Sequence, residues 1–409
     1  MSSSNQQVDF DVVVVGGGPS GATAAHDLAV QGHKVMLLDR DGRIKPCGGA
    51  VPPRLLKDFD IPQSLLKAHA HSARIISPKD NRVDMPVGEG GYVGMVDRDE
   101  FDEWLRNRAA EAGAVRMTGT YEGIEQGPDN IATIMFRKDR QSEPQRISTR
   151  MVIGADGARS KVARDSIKNA DRVPCVFAYH EIVKVPEEHQ QDYRDDRCDV
   201  YYQGHLSPDF YAWIFPHGKT ASIGLGSANK GFPLRETTKL MREQTGLDGW
   251  ETIRKEGAPI PLKPLRKWDN GKNVLVVGDA AGVVAPASGE GIYYAMAAGR
   301  MGANAAMQFL QTGQAKALAG ARKAFMKQHG RVFWILGIMQ YFWYSSDKRR
   351  ERFVKMCDDP DVQRLTWEAY MHKELVKRDP LAHVKIFLKD TAHLLGIKSM
   401  EEGQVAKGG

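Results

Sequence analysis

Phe10-Asp11-Val12-Val13-Val14-Val15-Gly16-Gly17-Gly18-Pro19-Ser20-Gly21 runs a valine-rich stretch straight into glycines. A short continuous apolar run predicts a buried parallel strand, and glycines directly after it predict a tight turn. The segment from Gly21 to Gly32 is rich in alanine and leucine and predicts a helix, and Val35–Leu38 predicts the next strand. The result is a βαβ unit with the spacing Gly16-x-Gly18-x-x-Gly21. In such a unit Gly16 permits the turn, Gly18 lets backbone approach a pyrophosphate, and Gly21 lets the helix pack closely on the strand. The free N–H groups and dipole at the helix start favour phosphate. Asp39 closes the second strand, where a carboxylate accepts ribose hydroxyls. A dinucleotide site is expected, and this unit alone does not separate NAD from FAD.

Outward from this unit, Arg98 to Ala112 predicts a helix with Asp99 and Glu100 in its first turn and Gly113 at its end. Met151–Ile153 and Val274–Val277 are short apolar runs that predict two further buried strands. Between about Ser166 and Pro264, aromatic and β-branched stretches such as Val200–Gln203, Tyr211–Phe215 and Ala221–Leu225 alternate with turns, which predicts an antiparallel sheet. A helix rich in alanine and methionine follows Gly289 to about Leu310, and the chain from Ala321 on is helical and charged. The expected class is α/β: a discontinuous Rossmann-like domain, residues 1–165 and 266–325, with an inserted antiparallel-sheet substrate domain, 166–265, and a helical C-terminal region, 326–409. Short strands near 72–95 are assignable to the substrate sheet.

Composition sets the outer limits. The 409 residues suit two or three domains, with 42% hydrophobic and 26% charged residues, enough for a sizeable core. A formal net charge of +6 lacks the density of a nucleic-acid binder, so no nucleic-acid partner is expected. Four cysteines, Cys47, Cys175, Cys198 and Cys357, form no C-x-x-C pair, and the histidines lack ligand spacing, so neither disulfide framework nor metal site is expected. The polar N-terminus gives no signal-peptide pattern, and no window holds 18 apolar residues, so a cytoplasmic location is expected. Glycine is the outlier: 41 residues, about a tenth of the chain against a usual roughly 7%.

Those glycines cluster in further motifs. Gly278-Asp279-Ala280-Ala281-Gly282 is followed by Pro286 and by Gly289-x-Gly291. Here the chain resembles the FAD-dependent hydroxylase superfamily, that of p-hydroxybenzoate hydroxylase. The resemblance implies FAD as cofactor, with Asp279 on a ribityl hydroxyl and the Gly289–Ile292 turn presenting N–H groups to the flavin pyrimidine edge. Donors at a helix start stabilise the negative charge of reduced flavin. Gly154-Ala155-Asp156-Gly157-Ala158-Arg159-Ser160 is similar to the Asp-Gly motif of that superfamily, which implies a place for Asp156 and Gly157 near the pyrophosphate. Arg98 matches the position where these enzymes pair a guanidinium with FAD phosphates; a solvated surface arginine is the alternative.

Lys45-Pro46-Cys47-Gly48-Gly49-Ala50 and Tyr211-Ala212-Trp213-Ile214-Phe215-Pro216 resemble geranylgeranyl reductases, in particular the branch acting on chlorophyll or bacteriochlorophyll. That resemblance implies saturation of prenyl double bonds on geranylgeranyl diphosphate or a geranylgeranyl-bearing pigment, with Gly48, Gly49, Tyr211, Trp213, Phe215 and Pro216 at the substrate. Alternation along a strand would put Tyr211, Trp213 and Phe215 on one face, either as a wall for an apolar chain or as ordinary core. Cys47 is a candidate proton donor, a packing residue or a small buried hydrophobe; a bound water is the rival donor. No second nucleotide fingerprint occurs, and the resemblance implies NADPH reducing the flavin at a shared site, with a ferredoxin-type carrier as rival. A flavin monooxygenase and a reductase of archaeal-type prenyl lipids share most of these motifs.

Charge is uneven. Residues 321–400 carry sixteen Lys and Arg against nine Asp and Glu, a net +7. The same region holds Phe333, Trp334, Tyr341, Phe342, Trp343 and Tyr344, followed by Lys348-Arg349-Arg350. Aromatics beside basic residues suit the headgroup zone of an anionic membrane, so a peripheral site on a photosynthetic membrane is expected, with a helix packed on the catalytic domains as the alternative.

Overall fold

Val12, Val13 and Val14 are wholly buried because their strand lies inside a sheet rather than at its edge. The structure, a computed structural model, describes residues 8–40, 44–127, 130–188 and 192–373. Strand β1 (Phe10–Val15) pairs in parallel with β2 (Val35–Asp39) on one side and β11 (Gln145–Gly154) on the other, so Val12 faces both Val35 and Met151. β8 (Val115–Thr118) extends the sheet past β2, and β17 (Val274–Val276) joins the C-terminal half of β11, both in parallel. β9 (Thr120–Gln126) and β10 (Ala132–Arg137) add an antiparallel hairpin on the other half of β11. Five of the first six β11 residues are partly or fully exposed, which is why only its apolar end stands out in the sequence.

Between β1 and β2 lies α1 (Pro19–Val30). It begins two residues before the predicted Gly21, because Pro19 occupies the first turn, where a missing N–H costs nothing. Beside it pack α3 (Arg98–Glu111) and α6 (Ile292–Thr312).

A second seven-stranded sheet has the order β16 (Thr252–Pro261), β12 (Cys175–Lys184), β15 (Thr220–Ser227), β14 (Ala212–His217), β13 (Arg197–Tyr201), β5 (Ser72–Ile76), β6 (Arg82–Pro86). It is antiparallel except at β13–β5, so residues 72–86 complete a sheet otherwise built a hundred residues later. A three-stranded sheet, β3 (Ala50–Val51), β7 (Val93–Val96) and β4 (Leu66–Ala70), lies next to β14. Short helices α2 (Pro53–Asp58) and α4 (Lys161–Ser166) and the amphipathic α5 (Leu234–Gln244) fill the connections.

The described residues end in α7 (Ala319–Trp343), α8 (Asp347–Met356) and α9 (Pro360–His372). α7 divides the aromatic residues of this region between core and surface. Phe333, Trp343 and Tyr344 are buried, whereas Trp334 and Tyr341 are 69% and 85% exposed. Arg350 is also turned inward, donating to the carbonyls of Pro208 and Tyr344. Among the described residues no helix is long and apolar enough to cross a membrane. Residues 374–409 of the expected C-terminal region lie outside the described residues.

Candidate active site

Two cavities meet at the C-terminal end of β1. The outer one, about 400 Å³, is lined by Gly16, Gly18, Asp39, Arg106, Asp156 and Gly157. The inner one, about 310 Å³, runs from Gly18 past Lys45, Cys47 and Asp279 to the aromatic residues of β14. Gly18, Lys45, Ala155, Gly157, Ala258 and Pro259 line both, so they form one continuous channel.

At the outer end the backbone sets the shape. Gly16 has φ +106°, and a Cβ there would lie 2.3 Å from the Ala155 carbonyl oxygen; one on Gly21 would lie 1.9 Å from the Gly16 oxygen. The first turn of α1 is thereby pressed against the strand ends, while the space above Gly18 is open. Asp39 accepts an N–H from Arg40, and Arg106 Nη1 lies 3.5 Å away. Burial lifts the Asp39 carboxyl above its ordinary value, against those donors. Arg106, on α3, has no signal in the sequence: it is one of several arginines on a charged helix, and only the packing of α3 against α1 brings it to Asp39.

Asp156 lines the outer cavity, but its carboxylate is spent on the chain itself, accepting from Ser160 Oγ and from the N–H groups of Lys161 (2.6 Å) and Val162 (3.2 Å) at the start of α4. Arg98 is not the solvated surface arginine of the alternative reading. It is 5% exposed, chelated by Asp102 at 2.7 and 2.6 Å, and stands beside the Cys47 thiol in the inner cavity. Asp279 also already has a partner, the ammonium of Lys45. Pro286 is buried in its turn and lines neither cavity.

The inner cavity is walled by the second sheet. Tyr211, Trp213 and Phe215 all line it, with successive ring centroids 5.9 and 6.2 Å apart. Pro216 does not: with Ala212 and Ile214 it falls on the opposite side of β14. Trp213 is fixed by an indole N–H to Ser222 Oγ at 3.1 Å, and Ser222 also meets His180 Nδ1 at 2.9 Å. Phe210 stacks on Tyr211 at 4.3 Å and shares the wall. Alternation misses it because residues 210 and 211 precede the regular strand. Gly48 and Gly49 line the cavity; a Cβ on Gly48 would meet the Phe215 ring at 3.1 Å. Cys47 lines it too, its sulfur accepting the Gly49 N–H at 3.4 Å. The Gly289–Ile292 turn closes the floor, held by Tyr211 Oη donating to the Ser288 carbonyl at 2.5 Å.

These residues fit a flavin dinucleotide. Both α1 and α6 begin on a glycine N-cap without a side-chain cap, so each offers unspent N–H groups into the channel, one at either end. Gly18 leaves room for a pyrophosphate, and a ring system laid toward Gly289–Ile292 would stand beside the aromatic wall.

Fold and site together define a flavoprotein with a two-part dinucleotide domain and a sheet-walled apolar cavity beside it. The FAD binding domain family matches residues 9–317. The geranylgeranyl diphosphate reductase of Rhodobacter capsulatus is 57% identical over 389 residues, covering 95% of this chain and 98% of that protein. The digeranylgeranylglycerophospholipid reductase of Methanocaldococcus jannaschii is 32% identical, covering 71% and 75%. Among solved structures, a geranylgeranyl bacteriochlorophyll reductase-like protein from Thermoplasma acidophilum superposes with a TM-score of 0.78 at 23% identity, over 91% of this chain and 99% of that one, a likeness of fold. The chain belongs to the geranylgeranyl diphosphate reductase family.

Proposed function

We propose that the protein is an FAD-dependent reductase that saturates the double bonds of a geranylgeranyl group, on the diphosphate or on the (bacterio)chlorophyll ester, giving the phytyl form. The observation that carries this reading is the continuous channel: a dinucleotide cradle opens directly onto a cavity walled by Tyr211, Trp213 and Phe215. An aromatic wall with few polar groups suits a long apolar chain better than a polar aromatic substrate. The 57% identity to a protein named for this activity supports the same substrate class.

FAD, when bound and reduced, supplies hydride to one alkene carbon. The chain's own residues do the rest. Tyr211, Trp213 and Phe215 hold the prenyl chain and exclude water. The Gly289–Ile292 turn offers N–H groups where negative charge is stabilised. Cys47, or a water beside it and Arg98, gives the proton to the other carbon. NADPH is the proposed electron donor, with a ferredoxin-type carrier as the rival outcome of the same measurement. Anaerobic mixing with NADPH should bleach the flavin within the turnover time; bleaching only by a reduced ferredoxin would reassign the donor.

The protein is also proposed to work against an anionic membrane, with Trp334, Ile338 and Tyr341 as the inserting face of α7. All three are exposed on one helical stripe, with exposed Lys327 and Arg331 nearby.

A further inference from the structure

α9 turns Trp367 and Tyr370 into the lining of the inner cavity. Their rings are neighbours, 6.0 Å apart and edge to face. The indole Nε1 and the phenol Oη are both shielded from solvent, and among the described residues neither has a hydrogen-bond partner. A buried donor left unmade is costly, so two at one place in a cavity wall point to an acceptor on a bound molecule. A prenyl tail has no acceptor atoms; the oxygens of a geranylgeranyl compound are all at its head.

The helix is held where this requires. Arg54 donates to the His372 carbonyl, and Gln363 Nε2 donates to the Asp84 carbonyl at 3.3 Å. Just past α9, Lys373 forms an ion pair with Glu290, their side chains only 2% and 8% exposed. Glu290 belongs to the Gly289–Ile292 turn, and the Lys373 ammonium lies 3.8 Å from the Tyr370 ring centre. One cation thus ties the turn to the ring. Burial pushes the Glu290 carboxyl up and the Lys373 ammonium down, and each charge offsets the other's cost.

We propose that Trp367 and Tyr370 bind the substrate: their rings close the prenyl cavity, and their N–H and O–H donate to an oxygen at the head of the chain. Glu290 and Lys373 are positioning residues that hold them there. This rests on the geranylgeranyl reading above and adds the groups that recognise the head.

The test uses FAD-loaded protein and equilibrium binding read from the flavin spectrum. Tyr370→Phe keeps its ring and removes the donor; Trp367→Phe removes the donor and leaves a smaller aromatic ring. Each should bind geranylgeranyl diphosphate or a geranylgeranyl ester about five- to tenfold more weakly. Tyr370→Phe should bind an oxygen-free C20 polyene as wild type does, Trp367→Phe should lose less for the polyene than for the oxygenated ligands, and both should keep their FAD affinity. Whichever oxygenated ligand loses more identifies the head group. Unchanged binding of both oxygenated ligands, an equal loss for the polyene, or weaker FAD binding would overturn the proposal. Lys373→Glu should weaken all three ligands, and adding Glu290→Lys should restore them; a folded double variant with no recovery would remove the pair from the account. A wild type that holds FAD yet binds none of the ligands overturns the geranylgeranyl reading itself.

Discussion

Gly21 shows how little room single residues leave here. An alanine methyl there would sit 1.9 Å from the Gly16 oxygen, so Gly21→Ala must push α1 off the strand. We expect at least about tenfold weaker FAD binding, seen as a lower flavin-to-protein absorbance ratio, with a lower melting temperature. Asp97 gives a pH effect. Burial tends to raise its pKa, but the hydrogen bond from His217 at 2.8 Å and the charge of that ring win, holding the carboxyl below its ordinary value. A carboxyl held low contributes stability above its unfolded pKa of about 3.9, and that share is lost as pH falls through the lower folded value. His217 also reaches the Gly48 carbonyl at 3.1 Å, so the same contact braces the loop that carries Cys47. Melting curves of Asp97→Asn should therefore show a flatter acid limb below about pH 4 than wild type; an unchanged limb would remove Asp97 from the acid response.

Elements carry the substrate site and the surface. Trp213→Ala removes the middle of the β14 wall. We expect KM for a geranylgeranyl substrate to rise roughly ten- to a hundredfold with FAD affinity unchanged, since a buried aromatic contributes about 1.5–3 kcal/mol. On α7 the exposed and buried aromatics should separate cleanly. Trp334→Ser with Tyr341→Ser should abolish flotation with anionic liposomes while leaving the melting temperature within a few degrees. Trp343→Ala should instead cost about 3–5 kcal/mol of stability, because that ring is core. Retention of the surface double variant on liposomes would end the membrane reading. These elements also show what a sequence discloses. Local patterns, a valine run before glycines or alternating aromatics, mark β1, α1 and the β14 wall. Arg106, Trp367 and Tyr370 reach the site only through tertiary packing, from helices whose own residues look like ordinary surface. The burial of Arg98 is hidden for the same reason: its partner Asp102 lies one turn away, and nothing local says that the turn is buried.

Across the whole molecule, the β17 strand and α6 come more than a hundred residues after β11, yet complete the same sheet and the same channel. A dinucleotide spanning both halves should therefore stabilise the entire fold. At a hundredfold excess over Kd, FAD should add about 2.7 kcal/mol, visible as a rise of several degrees in melting temperature over the flavin-free protein. No shift would mean that the channel does not take FAD. The most direct test of the reductase reading is product analysis under strict anaerobiosis, with FAD-loaded protein, a chemical reductant and a geranylgeranyl substrate. Stepwise saturation to the phytyl form without oxygen is the expected result. A product that forms only when oxygen is admitted, bearing a new hydroxyl or epoxide, would contradict it.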